Sequence, residues 1–263
     1  MPRRRALLVP RAAGVHPRAR PRGTSNAPDP IMSLARARLR PEVPGARDFL
    51  PVVPTLPSLR DAVSACRGCT LYREATQAVF GEGSVSAHVM LIGEQPGDSE
   101  DLAGKPFVGP AGKILDEALE VAGIPRSETY VTNVVKHFKF TRRGKRRIHD
   151  KPTRYEVEAC RPWLAAEFAL VAPDIVVVLG ATAAQALLGP TFRVTKERGV
   201  ERESALARHT FATVHPASVL RAPDEELRRL AREEFFADMR VVGACYRQLT
   251  GAASAGAGPA GPG

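Results

Sequence analysis

No stretch of the chain approaches the roughly 20 consecutive apolar residues that span a bilayer, so a membrane-spanning helix is not expected. Cysteine is scarce, with four in 263 residues. That excludes a short secreted scaffold stapled by disulfides and favours a reducing, cytoplasmic setting. No internal repeat is visible. A phosphate loop is also missing: Gly109-Pro110-Ala111-Gly112-Lys113 runs into Ile114 without a Ser or Thr, and Phe107 stands where the first Gly belongs. The net charge of +10 suggests nucleic acid, but residues 1–47 hold 11 Arg against two acidic residues. The remainder, 27 basic against 26 acidic residues, lacks a general basic excess. Its positive charge is concentrated in Lys136–Arg154, with nine Lys or Arg against one Asp.

Hydrophobic residues at 44% and charged residues at 25% are ordinary for a globular domain, and the length suits one domain with tails. Residues 1–47, rich in Arg, Pro, Ala and Gly, read as a disordered basic extension, with Met32 as an alternative start. Arg3-Arg4-Arg5 followed by Ala6–Val9 has too short an apolar part for an export signal. The domain is expected over 48–250, and 251–263 reads as a disordered Gly/Ala/Pro tail. Within the domain strands and helices alternate. Strands are expected at Val85–Gly93, Thr129–Val135, Asp174–Gly180 and Thr210–Val214. Helices are expected at Ala111–Gly123, Glu156–Ala172, Ala181–Leu188 and about Asp224–Leu249, with a polar basic loop before Glu156. The pattern predicts a three-layer α/β/α domain around a four-stranded, mostly parallel sheet. Ligands of such sheets bind beyond the carboxyl ends of the strands, so the loops after Gly93, Val135, Gly180 and Val214 hold the candidates.

The loop Gly93-Glu94-Gln95-Pro96-Gly97-Asp98 combines glycines that allow close backbone approach with two carboxylates. Taken alone, it also reads as an ordinary polar turn. His215, past the last strand, suits a hydrogen-bond donor to a leaving group, or equally a structural histidine. Asn133 offers both a donor and an acceptor for the edge of a base, although a buried structural Asn would look the same.

Together these segments resemble the iron–sulfur (family 4) branch of the uracil-DNA glycosylase superfamily. The resemblance rests on Gly93–Asp101 (GEQPGDSED), Gly104–Gly112 (GKPFVGPAG), Thr132–Lys136 (TNVVK) and His215–Arg221 (HPASVLR). It implies that Phe107 stacks on a flipped uracil, Asn133 reads its edge, His215 stabilises the uracil anion and Glu94 sits beside the sugar. Gly93, Gly97, Asp98, Ser218 and Arg221 would complete the substrate-binding set. Three departures from the ordinary family, namely Gln95, the run His137–Phe140 and the insertion Lys145-Arg146-Arg147-Ile148-His149, resemble the cross-linking type known as UdgX. That type excises uracil and stays attached to the sugar through a histidine, here His149, with Glu94, Gln95 and His215 as its catalytic companions. Lys145, Arg146 and Arg147 would touch the DNA backbone.

Cys66-x-x-Cys69 with the distant Cys160 suits an iron–sulfur cluster, although four N/S ligands also suit zinc. The resemblance implies a 4Fe-4S cluster on Cys66, Cys69, Cys160 and His137, with Cys245 as the competing fourth ligand. The expected partner is uracil-containing DNA, single strands favoured, bound by a monomer with no membrane contact. An ordinary hydrolytic glycosylase and a non-enzymatic uracil-DNA sensor are the competing readings.

Overall fold

A computed structural model of the chain describes residues 45–251. The expectations for 1–44 and 252–263, including the disordered tails and the Met32 start, lie outside the described residues. Among the described residues, no helix is long and apolar enough to cross a membrane.

In chain order the elements are α1 (Leu56–Val63), β1 (Glu82–Gly83), β2 (Val89–Gly93), α2 (Asp98–Ala103), α3 (Pro110–Ala122) and β3 (Thr129–Asn133). Then come β4 (Phe140–Arg143), β5 (Arg146–His149), α4 (Arg154–Val171), β6 (Ile175–Leu179), α5 (Ala181–Leu188), α6 (Val194–Glu197), β7 (His209–Thr213), α7 (Pro216–Leu220) and α8 (Glu225–Thr250). The main sheet has the order β1-β3-β2-β6-β7, parallel except for β1. It therefore has five strands rather than four. The extra one, Glu82–Gly83, is two residues long and shows no apolar alternation, so it gave no periodic signal. The chain leaves β2 for β3 on one side and returns to β6 on the other. That reversal places a crevice outside Gly93 and Gly180.

Both faces of the sheet are covered, which is why its strands read as continuous Val/Ile/Leu runs. Met90, Ile92, Tyr130, Val176 and Val178 point toward α4 and α1, a layer that also holds Cys66, Cys69 and Cys160. Val89, Leu91, Val131, Ile175, Val177 and Phe211 point toward α3 and α8. Helix starts follow local chemistry. Pro110 sits in the first turn of α3, Thr153 and Glu156 form a reciprocal cap on α4, and Asp224 caps α8. The Thr153 cap starts α4 two residues before the expected Glu156. The first ten residues of α8, 225–234, are almost all exposed, and burial begins at Phe235.

The expected basic loop is instead a β-hairpin. β4 and β5 pair antiparallel from Phe140↔His149 to Arg143↔Arg146, turning at Gly144, whose φ of 60° favours glycine.

Candidate active site

The carboxyl-end crevice opens into a cavity of about 400 Å³, within the usual range of small-ligand sites. Its lining includes Glu94, Gln95, Phe107, Asn133, His149 and His215. Gly93 lies where three of these groups meet. A Cβ there would meet Asn133 Oδ1 at 2.4 Å, Phe107 Cζ at 2.9 Å and His215 Nε2 at 3.4 Å. Any side chain at 93 would plug the point on which these three groups converge.

Asn133 ends β3, and its Oδ1 is buried with no hydrogen-bond partner among the described residues. Glu94 Oε1 is in the same condition. The Glu94 backbone is fixed nonetheless, because the Val134 and Val135 N–H groups donate to the carbonyls of Gly93 and Glu94 at 3.0 and 3.1 Å. Buried polar atoms are rarely left unpaired, so two around one cavity mark a place built for another molecule.

Phe107 has φ 56°, a left-handed conformation unusual for an aromatic residue. Gly112 makes that turn possible, since a Cβ there would lie 1.7 Å from the Phe107 carbonyl oxygen. The ring faces His215, with centroids 6.0 Å apart and planes 20° from parallel. Glu100, which the sequence reading passed over, ties the two loops together. Its carboxylate accepts from Gly97 N–H at 3.0 Å and from Gly109 N–H at 2.8 Å. Its spacing three residues after Gly97 at a helix start was the available signal.

His215 caps α7, and its Nδ1 accepts from Ala217 N–H at 3.2 Å. That bond leaves the proton of the neutral ring on Nε2, the atom turned toward Gly93. Burial, helped by the Arg221 charge and by the neighbouring His149, pushes its pKa down to about 4. His215 is therefore a neutral donor aimed into the cavity. The Ser218 hydroxyl donates to the His215 carbonyl at 2.7 Å, and Ser218 and Arg221 both line the cavity.

His149 reaches the rim at the end of β5, with Nε2 3.6 Å from Glu94 Oε1. Gln95 holds it there. The amide nitrogen donates to the Lys139 and Asp150 carbonyls at 3.1 and 3.0 Å and lies 3.0 Å from His149 Nε2, while Oε1 accepts from Lys139 N–H at 3.2 Å. The backbone contacts fix the amide orientation, so His149 Nε2 is an acceptor and carries a lone pair. Burial lowers the His149 pKa, opposed by Glu94 and assisted by Arg221.

Two expectations change. Arg147, expected on DNA phosphates, is engaged within the protein: Nε meets Asp98 at 2.5 Å, and Nη1 meets Asp101 at 2.6 Å and Thr76 at 3.1 Å. It fastens the hairpin to α2. Asp98, expected to touch substrate, is committed to that pair and is absent from the cavity lining. Lys145 and Arg146 remain exposed at the hairpin tip.

Cys66, Cys69 and Cys160 are buried, unpaired and near enough for the charges of the first two to act on the third. Trp163 Nε1–H and Lys136 N–H each donate to a sulfur, of Cys66 and Cys160, at 3.2 Å. Burial pushes the Cys69 thiol up to about 11 and Cys160 higher still, so bare thiolates are disfavoured and a bound metal's charge would reverse the balance. His137, next to Lys136, is buried and held neutral, its pKa pushed down to about 4 by burial against the pull of Asp101. This donor set fits an iron–sulfur cluster. Cys245 does not belong to it: it lies in α8, on the opposite face of the sheet.

A carboxylate, an amide and a neutral histidine donor thus converge on one cavity at the carboxyl end of the sheet. Residues 80–240 match the uracil DNA glycosylase superfamily, and the chain belongs to it. It is 37% identical over 175 residues to the type-4 uracil-DNA glycosylase of Thermotoga maritima, covering 66% of this chain and 88% of the relative. The type-4 enzyme of Pyrobaculum aerophilum is 38% identical over 175 residues, covering 64% and 86%. That of Sulfurisphaera tokodaii is 35% identical over 191 residues, covering 69% and 82%.

Proposed function

We propose that the protein excises uracil from DNA and then captures the sugar C1′ on His149. Excision needs the base outside the stack. In the cavity the flipped uracil lies on the Phe107 ring, with its polar edge on the Asn133 amide, whose unpaired Oδ1 gains a donor. As the N-glycosidic bond breaks, its electron pair leaves with the base. The neutral His215 Nε2–H donates to the oxygen on which negative charge collects. The Glu94 carboxylate faces the cationic sugar. The histidine lies on the base side and the carboxylate on the sugar side, so each meets the charge it stabilises.

Capture is carried by one observation: His149 Nε2, with its lone pair, lies 3.6 Å from the Glu94 carboxylate that would face the sugar. A nucleophile held there competes with water through an effective concentration that reaches roughly 10⁵ M for well-placed groups. The Nε2 lone pair forms the bond to C1′. The ring becomes an imidazolium beside Glu94 and loses its Nδ1 proton to solvent, and uracil takes up a proton on release. Gln95 restrains the ring through a bond that it shares with two carbonyls and so yields readily to C1′. Cys66, Cys69, Cys160 and His137 would hold a 4Fe-4S cluster, which when bound crosslinks chain segments and makes no substrate bond.

The test is a uracil-containing oligonucleotide run on a denaturing gel after boiling. Wild type should give a heat-stable adduct on uracil-DNA and none on thymine-DNA. His149→Ala should release uracil and leave an abasic site without an adduct. An adduct that persists in His149→Ala, or maps by mass spectrometry to another peptide, overturns capture by His149. Loss of uracil release in Asn133→Ala and His215→Ala tests excision separately.

A further inference from the structure

A second cluster of ionisable groups lies at the amino-terminal end of the sheet, opposite the cavity. His209 opens β7 and, two residues before Phe211, points to the same face, the one covered by α8. Its Nδ1 lies 2.6 Å from Glu201 Oε1. Donor atoms of Glu201, His209 and Cys245 all lie within 4.8 Å of one another. His209 Nε2 is buried and has no hydrogen-bond partner among the described residues. A proton on Nδ1 leaves the lone pair on Nε2. Cys245 supplies a buried, unpaired thiol from α8.

We propose that Glu201, His209 and Cys245 form a site for a zinc-class divalent ion that ties the start of β7 to α8. Imidazole and thiolate together select zinc over the hard cations magnesium and calcium. Tetrahedral ligands about 2.0–2.3 Å from one ion lie about 3.3–3.7 Å apart, so the cluster closes by modest side-chain rotation. Glu201, half exposed, makes that rotation by giving up its contact with His209 Nδ1. On binding, the Cys245 S–H bond breaks, a sulfur–metal bond forms and the proton goes to solvent. His209 gives a lone pair, water fills the open position, and no electron is transferred. The ion would stabilise the layer under the cavity without touching substrate.

The experiment titrates the full-length protein, as isolated, with Zn(II) and with Co(II), and measures iron beside zinc in every sample. Wild type should take about one zinc per chain through this site, show a thiolate-to-Co(II) absorption band, and gain about 5 °C in Tm at saturating zinc. Cys245→Ser and His209→Ala should lose that equivalent and the Tm gain while keeping the same iron content. Glu201→Gln, a change at an exposed position that keeps the fold, should weaken zinc about 10–100-fold. The absence of both the band and the Tm gain in wild type overturns the site. Zinc binding that is unchanged in Glu201→Gln and Cys245→Ser also overturns it, because the ion then sits on other ligands.

Discussion

Two groups of buried polar side chains meet at Asn133 and are treated in opposite ways. Behind it, Lys136 is fully buried, its Nζ donating to Glu167 at 2.6 Å, Thr132 at 2.7 Å and the Asn133 carbonyl at 2.9 Å. Glu167 also accepts from Gly81 N–H and the Tyr130 hydroxyl, both at 3.1 Å. In front, the Asn133 Oδ1 and Glu94 Oε1 are left without hydrogen-bond partners among the described residues. A buried network is worth having only when each member is satisfied, and the rear group meets that condition. The front group forgoes hydrogen bonds for the sake of whatever enters the cavity. One residue thus has its backbone in a stability element and its side chain in a binding one.

The sharpest way to break this comparison is to remove one partner at the back. Lys136→Met strands the Glu167 carboxylate and should cost on the order of 3–5 kcal/mol in urea unfolding. Lys136→Met with Glu167→Leu should recover much of that loss. A single variant no less stable than the double would show that the network does not hold the fold.

His215 gives the next effect. Its pKa falls from an unfolded value of roughly 6.5 to about 4 on folding. Below the upper value the unfolded chain binds more protons than the native one. Stability is therefore complete above about pH 6.5 and declines as pH falls toward 4, by on the order of 3 kcal/mol in all. Comparing Tm against pH for wild type and His215→Asn should show a shallower acid loss in the variant. Parallel curves would count against a neutral, buried ring.

At the front the effects should divide the other way. Glu94→Gln and Asn133→Ala remove oxygens that make no hydrogen bond among the described residues, so unfolding free energies should shift by less than about 1 kcal/mol. Uracil release should nevertheless fall by roughly 10² or more in Glu94→Gln, given what a single electrostatic group at a reacting centre contributes. A large stability loss would assign these residues to the scaffold instead.

The smallest change belongs to the hairpin tip. Arg146→Ala and Lys145→Ala should leave Tm unchanged and lower the salt slope of single-stranded DNA binding by about 0.7 each. Arg147→Ala should do the reverse, lowering Tm with the salt slope kept, because its charge is spent on Asp98 and Asp101.

That contrast marks where the sequence was readable. The four long strands are apolar runs covered on both faces, and their cavity-side ends fell within a residue or two of Gly93, Asn133, Leu179 and Thr213. α5, Ala181–Leu188, has the expected bounds. The hairpin was not legible, because Phe140–Arg143 and Arg146–His149 lack a buried face and hence an apolar alternation. Arg147 looked like one charge in a basic run, since its partners are 46 and 49 residues away. Cys245 could not be separated from the other cysteines until the sheet put a layer of side chains between them.

The overhang of α8 has a dynamic consequence. At 1.5 Å per residue, 26 residues make a rod about 39 Å long, more than twice the length of a five-residue strand. Packing secures it only from Phe235 onward, while the ten residues before it lean on surface pairs such as Arg229 with Glu226 and Glu233. Amides in that first part open by local fraying, and those beyond Phe235 exchange with deuterium only through much larger openings. The helix therefore carries a rapidly exchanging first part in solvent and a slowly exchanging part packed on the sheet.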